Sequence, residues 1–465
     1  AKKFQKGIQN YIKKFAEGNT ELKDFIDSIG DAYGSDLSEW QKQWLQTASL
    51  NTIGIKLKCD RGKIESFYVE QEAPQAFDVL RSHRFKIALF QSKSSRLMTP
   101  LVFSAQISDQ ETSVPEALGK ACPALIYPNY EDYGYMKLKL DSNTITELPS
   151  LIRQLPRAFE RQLFWAALWD MVEDTHLDLV KFGELATQNL NKEKDPETLR
   201  AILRYLHGYY SKGSSVLFYL PKDSEKEVTF YNRFVSKLEG IIWQQLLKAK
   251  PNSEHQKIWL LSFIETARTP NGLNHLNQLL SGKVKLKGLP IDQDKRWEII
   301  VKLASFNFRN SEILIAEEAK RDPSSSGKLG MLSAQASIPL LANKESWLNE
   351  IEKEDSSYSL DQQRAIINEL FPAHQISLET QAGASFYDRL AILAQKREGP
   401  FLVLYSRLIP NICAEEQNIK IGAFLKENLK LHPGLEKRLK VYRELGDRCR
   451  DIRSLVRKEH ETRAH

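Results

Sequence analysis

Nine histidines and four cysteines are the side chains of this 465-residue chain best suited to hold a metal or act as nucleophiles, and their spacing limits what they can do. A hydrolytic zinc centre needs two histidines one helical turn apart with a glutamate beside them as base, so that both imidazoles share a face and a bound water is activated. No H-E-x-x-H occurs. The nearest approach is His460-Glu461-Thr462-Arg463-Ala464-His465, whose histidines stand about 500° apart around a helix and so on different faces. The segment reads as a solvated, polar tail. His83, His176, His207, His255, His275, His374 and His432 are isolated in sequence, and each is expected to be a satisfied or exposed imidazole. No catalytic, cofactor-binding or metal-ligating residue is assigned.

The cysteines Cys59, Cys122, Cys413 and Cys449 are far apart and form no C-x-x-C pair, so they read as reduced, mostly buried thiols. There is no G-x-S-x-G elbow, no Walker loop and no G-x-G-x-x-G. Ser324-Ser325-Ser326-Gly327-Lys328 looks like a phosphate loop, but its glycine spacing is wrong and it reads as a helix–helix loop. Asn129, Glu131 and Asp132 offer oxygens to a cation, yet a Pro-Asn turn with solvated acids explains them. Tyr209-Tyr210 and the series Tyr127, Tyr130, Tyr133, Tyr135 could stack a ligand, but packing in core and turn explains them better.

The elements that position these groups fall into three stretches. In 1–51, Phe4, Ile8, Tyr11, Ile12 and Phe15 lie at helical spacing. Two further short amphipathic helices follow, the first N-capped by Thr20 and the other by Asp36 or Ser38. Such stripes need something to pack on, either one another as a mini-bundle or a neighbouring domain. Residues 52–141 read as short strands: Ile53–Lys58, Ile64–Val69, Phe85–Phe90, Leu101–Ile107, Leu125–Tyr127 and Tyr135–Leu140. Turn residues divide them, which predicts an antiparallel β-sandwich. From 142 to 465 the period is helical. A continuous pattern through Leu151, Ile152, Leu155, Phe159 and Leu163 is followed by Leu199–Tyr210, Glu227–Lys248, His255–Thr266, Trp297–Ala304, Glu312–Lys320, Leu360–Leu370, Ser385–Gln395 and Leu435–Lys458. Helices in series without strands predict an irregular α-solenoid, armadillo- or HEAT-like. The whole is a multidomain, mainly α chain. Its last helix has an apolar stripe, Leu435, Leu439, Tyr442 and Leu445, and a basic face. That face reads as solvated, with an anionic partner or membrane surface as the alternative.

Composition is that of a soluble globular chain, 42% hydrophobic and 27% charged. A net charge of +6 over this length is too weak to point to nucleic acid. No apolar run is long enough to span a membrane.

The wording of several segments resembles one family. AEGNTELKDFIDSIGDAYGSDLSEWQKQWLQTASLNTI is similar to the end of the catalytic domain in zinc aminopeptidases of the aminopeptidase N family, the gluzincins, departing at Glu21 and at Ser49. CPALIYPNYEDYGYMKLKLD resembles the end of that family's β-domain. FWAALWDMVEDTHLDLVKFGELATQNL, FIETARTPNGLNHLNQLLSG, KGLPIDQDKRWEIIVKLAS and IAEEAKRDPSSSGKLGMLSAQASIP resemble its C-terminal helical domain, particularly in the bacterial branch.

The resemblance implies a downstream half of a zinc metallopeptidase that removes N-terminal residues from peptides. Its domains would be 1–51 as the tail of a thermolysin-like domain, 52–141 as the β-sandwich and 142–465 as the solenoid. It implies peptides and an absent catalytic domain as partners, zinc in the intact enzyme but none held by this chain, and a chain inactive alone that encloses and gates the substrate chamber. Without a signal segment the location reads as cytoplasmic, although the native N-terminus is expected to be missing. A non-catalytic peptide- or protein-binding scaffold is the alternative, since concave solenoid faces suit that role.

Overall fold

The computed structural model describes residues 2–94, 96–208, 213–309 and 311–462, with side chains of the last helix through Glu459. Tyr209-Tyr210, the side chains of His460-Glu461-Thr462 and all of Arg463-Ala464-His465 lie outside the described residues. The chain is mainly helical and forms two compact units, Ala1–Met171 and Val172–His465.

The first unit opens with helices Lys2–Phe15 and Leu22–Tyr33, which pack on each other. A Cβ on Gly7 would stand 2.8 Å from Ile29 Cδ1, so only glycine allows this crossing. Tyr11 packs edge-on against Phe25 at 5.3 Å, while Phe4 and Ile12 remain 54% and 59% exposed. The cap of the second helix is Glu21 rather than Thr20. Asp24 closes the box by accepting from the Glu21 amide, and Thr20 instead bonds the Tyr11 hydroxyl at 2.6 Å. A short helix, Ser38–Gln41, then widens into a π turn at Lys42–Gln46.

Among the described residues nine strands follow: β1 Thr52–Asp60, β2 Lys63–Glu72, β3 His83–Phe90, β4 Ser92–Lys93, β5 Arg96–Leu97, β6 Leu101–Ile107, β7 Glu111–Ser113, β8 Leu125–Tyr130 and β9 Lys137–Lys139. They make sheets in the order β7-β2-β1-β9 and β6-β3-β8, plus the β4-β5 hairpin. β2 alternates between faces and buries Ile64, Phe67 and Val69, and Phe67 meets Phe103 of β6 edge-on at 5.9 Å. All six residues of β8 are buried, because the side of its sheet away from the first is covered by a helix. There Phe164 packs on Phe90 and Tyr127, and the Tyr127 hydroxyl donates to Leu163 O at 3.1 Å.

Besides the cap at Glu21, three expectations change in this unit. β9 pairs in parallel with β1, not antiparallel, and is only three residues long. The chain reaches it after a long crossover, which is what parallel pairing requires. The helical pattern drawn through Leu155 is broken, with one helix at Ser142–Leu151, a 3₁₀ turn at Ile152–Gln154 and the next helix at Ala158–Glu173. Pro156 explains the break, since it disfavours helix at the residue before it. Cys59 of β1 is not a thiol but is joined to Cys122.

Arg81 ties the opening helices to the sheets. It is 1% exposed, and its guanidinium donates to the carbonyls of Gln43 (2.8 Å), Thr47 (3.1 Å) and Ala48 (3.0 Å). Its own amide donates to Asn51 Oδ1 at 3.1 Å.

The second unit is built of helices joined by short loops, and their starts are written in the sequence. Asp178, Asp195, Ser224, Ser253, Thr269, Asp292, Ser324 and Ser359 each accept a backbone N–H as N-cap, and Pro196 and Pro270 take the first helical position. Neighbours pack side by side: Glu225–Lys248 on Glu254–Thr266, Gln293–Ser305 on Ser325–Ser337, and the latter on Leu360–Leu370. The final helix, Pro433–Thr462, buries Leu435 and Leu439 as its stripe predicts.

Its basic face is not simply solvated. Arg453 donates to Tyr219 O at 3.2 Å, Arg457 pairs with Asp223 at 2.5 Å and Glu227 at 2.8 Å, and Arg448 faces Glu173 at 3.6 Å. Those partners lie more than 200 residues earlier, out of reach of a local reading. Cys449 on this helix is joined to Cys413, a second correction to the free-thiol expectation. All four cysteines are therefore paired.

Candidate functional site: a charged recess in the helical unit

The isolated histidines separate into structural and recess positions. His83 is buried beside Asn51 and edge-on to Trp44, and burial with the nearby Arg81 charge holds it down at about 4. His275 stacks on Trp243 at 4.2 Å, and His432 Nδ1 accepts from the Gly434 amide at 3.1 Å. His207 and His374, far apart in sequence, both stand within the fields of Arg268 and Lys302. No sequence pattern relates them, because the helix end carrying His207 and the turn carrying His374 come near the same cations only in the fold.

The recess is assembled from helix ends. Pro196–His207 supplies His207, and the segment before Glu225–Lys248 supplies Lys222. Arg268 follows the end of Glu254–Thr266, Lys302 comes from Gln293–Ser305 and Glu369 from Leu360–Leu370. Glu239, 4% exposed, fixes the Arg268 turn by accepting from the amides of Arg268 (2.7 Å) and Thr269 (3.0 Å) and from the Thr269 hydroxyl. Arg268 Nη1 then donates to the Tyr231 hydroxyl at 2.6 Å, and Lys222 lies over the Tyr231 ring at 4.4 Å. Lys302 Nζ donates to Glu265 O at 2.9 Å. His374 stacks on Phe306 at 3.8 Å with Nε2 against Ser305 O at 2.9 Å. Lys344, wholly buried, donates to Ala336 O at 2.8 Å.

Lys222, Arg268, Lys302, Glu265 and Glu369 are half-buried and His374 keeps an open face, yet burial is the leading influence on the titration of those that shift. These groups are crowded by protein and still reached by water. Burial pulls the Lys222 and Lys302 ammoniums down. It pushes Glu369 up to about 7 against the opposing pull of Lys302, and holds His207 and His374 down at about 3. For Tyr231, burial would raise the phenol, but the charges of Arg268 and Lys222 outweigh it and the net shift is downward. Lys222, Arg268 and Lys302 stand in the recess beside the carboxylates of Glu239, Glu265 and Glu369. Its cationic members can donate charge-assisted hydrogen bonds to an anionic group.

The other groups singled out in the sequence have structural roles. Asn129 bonds Asp132 and Gly134 within the turn, and Glu131 pairs with Lys86 of β3 at 2.5 Å, so protein groups already occupy their oxygens. Tyr127 and Tyr130 are buried, whereas Tyr133 and Tyr135 are 67% and 72% exposed. Ser324 caps the next helix through the Gly327 amide, so Ser325–Lys328 form its first turn rather than a loop. Among the described residues no three His, Cys, Asp or Glu side chains converge as metal ligands, and these residues do not fit a zinc site. No helix among them is long and apolar enough to cross a membrane.

Fold and recess together define a mainly α, multidomain protein whose charged, accessible chemistry lies within its helical unit. The model of the ERAP1-like C-terminal domain family matches residues 125–445, and the chain belongs to that family, the C-terminal part of aminopeptidase N family proteins. It is 30% identical over 361 residues to aminopeptidase N of Streptomyces lividans, covering 76% of this chain and 40% of that protein. It is also 26% identical over 99 residues to leucyl aminopeptidase of Saccharolobus solfataricus, covering 21% of this chain and 12% of that one. A probable aminopeptidase 1 of Sulfurisphaera tokodaii is 33% identical over 57 residues, 12% of this chain and 7% of that protein. The chain thus spans less than half the length of each of these relatives.

Proposed function

We propose that this chain is the downstream part of a zinc-dependent metallopeptidase that releases N-terminal residues from peptides, and that it walls and gates the chamber they enter. In this reading 1–51 is the helical end of a thermolysin-like catalytic domain, 52–141 a β-sandwich and 142–465 an α-solenoid. The observation that carries it is the family match across 125–445, joined to the identity with an aminopeptidase N over 361 residues.

Two features support the finer parts. Phe4, Ile12, Trp40 and Leu45 in the opening helices are each about half exposed, an apolar face suited to docking on a catalytic domain. The recess around Arg268 and Lys302 offers cations to the carboxylates of a peptide. A narrow entrance would then admit short, flexible peptides and exclude folded proteins, with no residue of this chain touching the zinc. The partners are peptides and the catalytic domain, not nucleic acid. Four cysteines in two disulfides favour an oxidising compartment over the cytoplasm.

Zinc content and hydrolysis of aminoacyl anilides test the reading in this chain and in a longer one with a catalytic domain upstream. Both should be near zero here and present there. One zinc per chain with activity here would overturn it. Peptide binding with no activity in the longer chain would favour a non-catalytic scaffold.

A further inference from the structure

We infer that the groove between helices Ser311–Arg321, Ser325–Ser337 and Leu341–Glu352 is a binding site for an organic cation, a guanidinium or alkylammonium group on a short apolar stem. The groove has a volume of about 710 Å³, within the range of sites for small organic ligands. Its walls carry two carboxylates, Glu312 and Glu350, and among its described lining residues there is no lysine, arginine or histidine. In a chain with net charge +6 this is a local reversal of sign.

The chemistry of the walls is matched to such a ligand. Ile315 and Ile338, 3% and 7% exposed, give an apolar floor for a stem. Trp347 and Tyr358, with ring centroids 5.8 Å apart, form an aromatic wall whose electron-rich faces attract cations, guanidinium most of all. Trp347 and Glu350 are three residues apart on one helix, so the ring and the carboxylate face the groove together. Glu312 forms no ion pair or hydrogen bond among the described residues. Glu350 has a partner, Lys353 at 2.5 Å, but that ammonium is 55% exposed, and an exposed pair of this kind is weak enough for a ligand to compete with it. An anion would meet two carboxylates here, and a neutral chain would leave them unmatched. Nothing in the groove depends on a peptidase reading of the protein.

Calorimetric titration of the whole chain tests this with three probes: agmatine, the peptide acetyl-Ala-Arg-Ala-amide, and its norleucine counterpart. Both cations should bind, and the arginine peptide about tenfold tighter than the norleucine peptide. Equal affinity for agmatine and the arginine peptide shows that the guanidinium and its stem suffice, while tighter binding of the peptide shows that the groove takes the basic side chain of a peptide. Glu312→Gln changes an exposed side chain and should weaken both cations about fivefold or more, as should Trp347→Ala, whereas Glu317→Gln outside the groove should not. Equal binding of the norleucine and arginine peptides overturns the proposal. So does affinity unmoved by Glu312→Gln and Trp347→Ala, or no binding of either cation at millimolar concentration.

Discussion

Cys449, wholly buried on the last helix, is joined to Cys413 across a Cα separation of 5.4 Å. The bond pins the final helix to the loop that precedes the Glu415–Glu427 helix, 36 residues back in the chain. It is one of two such bonds, and together they leave no cysteine free.

Protein exported to an oxidising compartment and denatured without reductant should therefore give no reaction with a thiol-specific dye, and four equivalents after reduction. Closing a loop of this size restricts the unfolded chain by about 4 kcal/mol, so Cys413→Ala with Cys449→Ala should lower the melting temperature clearly. Four reactive thiols before reduction would show that the pairs do not form.

Glu369 gives the recess a pH signature. Its ordinary value is 4.5 and burial raises it to about 7 in the folded state, with Lys302 and Lys344 opposing the shift and Glu265 adding to it. The folded protein holds this proton more tightly, so the stability it contributes is complete below pH 4.5 and is lost as pH rises through 7. Glu369→Gln cannot ionise and should keep that stability, gaining about 1–2 kcal/mol on wild type above neutrality. Melting temperatures of both proteins across this range check it, and parallel profiles would refute the assignment.

Arg296 and Glu318 form a two-point ion pair, Nε to Oε1 at 2.8 Å and Nη2 to Oε2 at 2.5 Å, with Glu318 only 4% exposed. Burial opposes ionisation of Glu318, but its bonds to Arg296 and Gln293 prevail and hold it below the usual carboxylate range. The pair thus stabilises above about pH 4.5 and is lost as pH falls through the depressed value. Glu318→Gln should cost about 3 kcal/mol by leaving Arg296 without its counter-charge, and Arg296→Met with Glu318→Leu should cost less than that. Urea unfolding of the single and double variants measures both.

Gly330 faces the ring of Trp297, and a Cβ there would stand 2.5 Å from two ring carbons. The ring cannot turn aside freely, because its Nε1 donates to Asp322 at 2.9 Å. Gly330→Ala should therefore destabilise by about 1–3 kcal/mol despite the better helix propensity of alanine. A gain in stability would mean that the two helices separate at little cost.

Local pattern in the sequence carried the type of many elements, while several starts lie a few residues before the expected ones, at Pro196 rather than Leu199 and at Glu225 rather than Glu227. Asp195-Pro196, Ser224 with Glu227, and Thr269-Pro270 start helices because a cap oxygen and a proline satisfy backbone groups locally, within four residues. The alternation of β2 and the apolar pair Leu435 and Leu439 named their buried faces for the same reason, since periodicity is a local property. The wording of 164–190 and its neighbours likewise carried the family. The tertiary structure alone decided which distant residues meet. It paired Cys413 with Cys449, turned Arg453 and Arg457 back onto Tyr219, Asp223 and Glu227, laid β9 parallel to β1, and set His207 and His374 around Lys302 and Arg268. Each joins segments separated by tens to hundreds of residues, and such contacts depend on how whole helices and sheets pack, which no local spacing encodes.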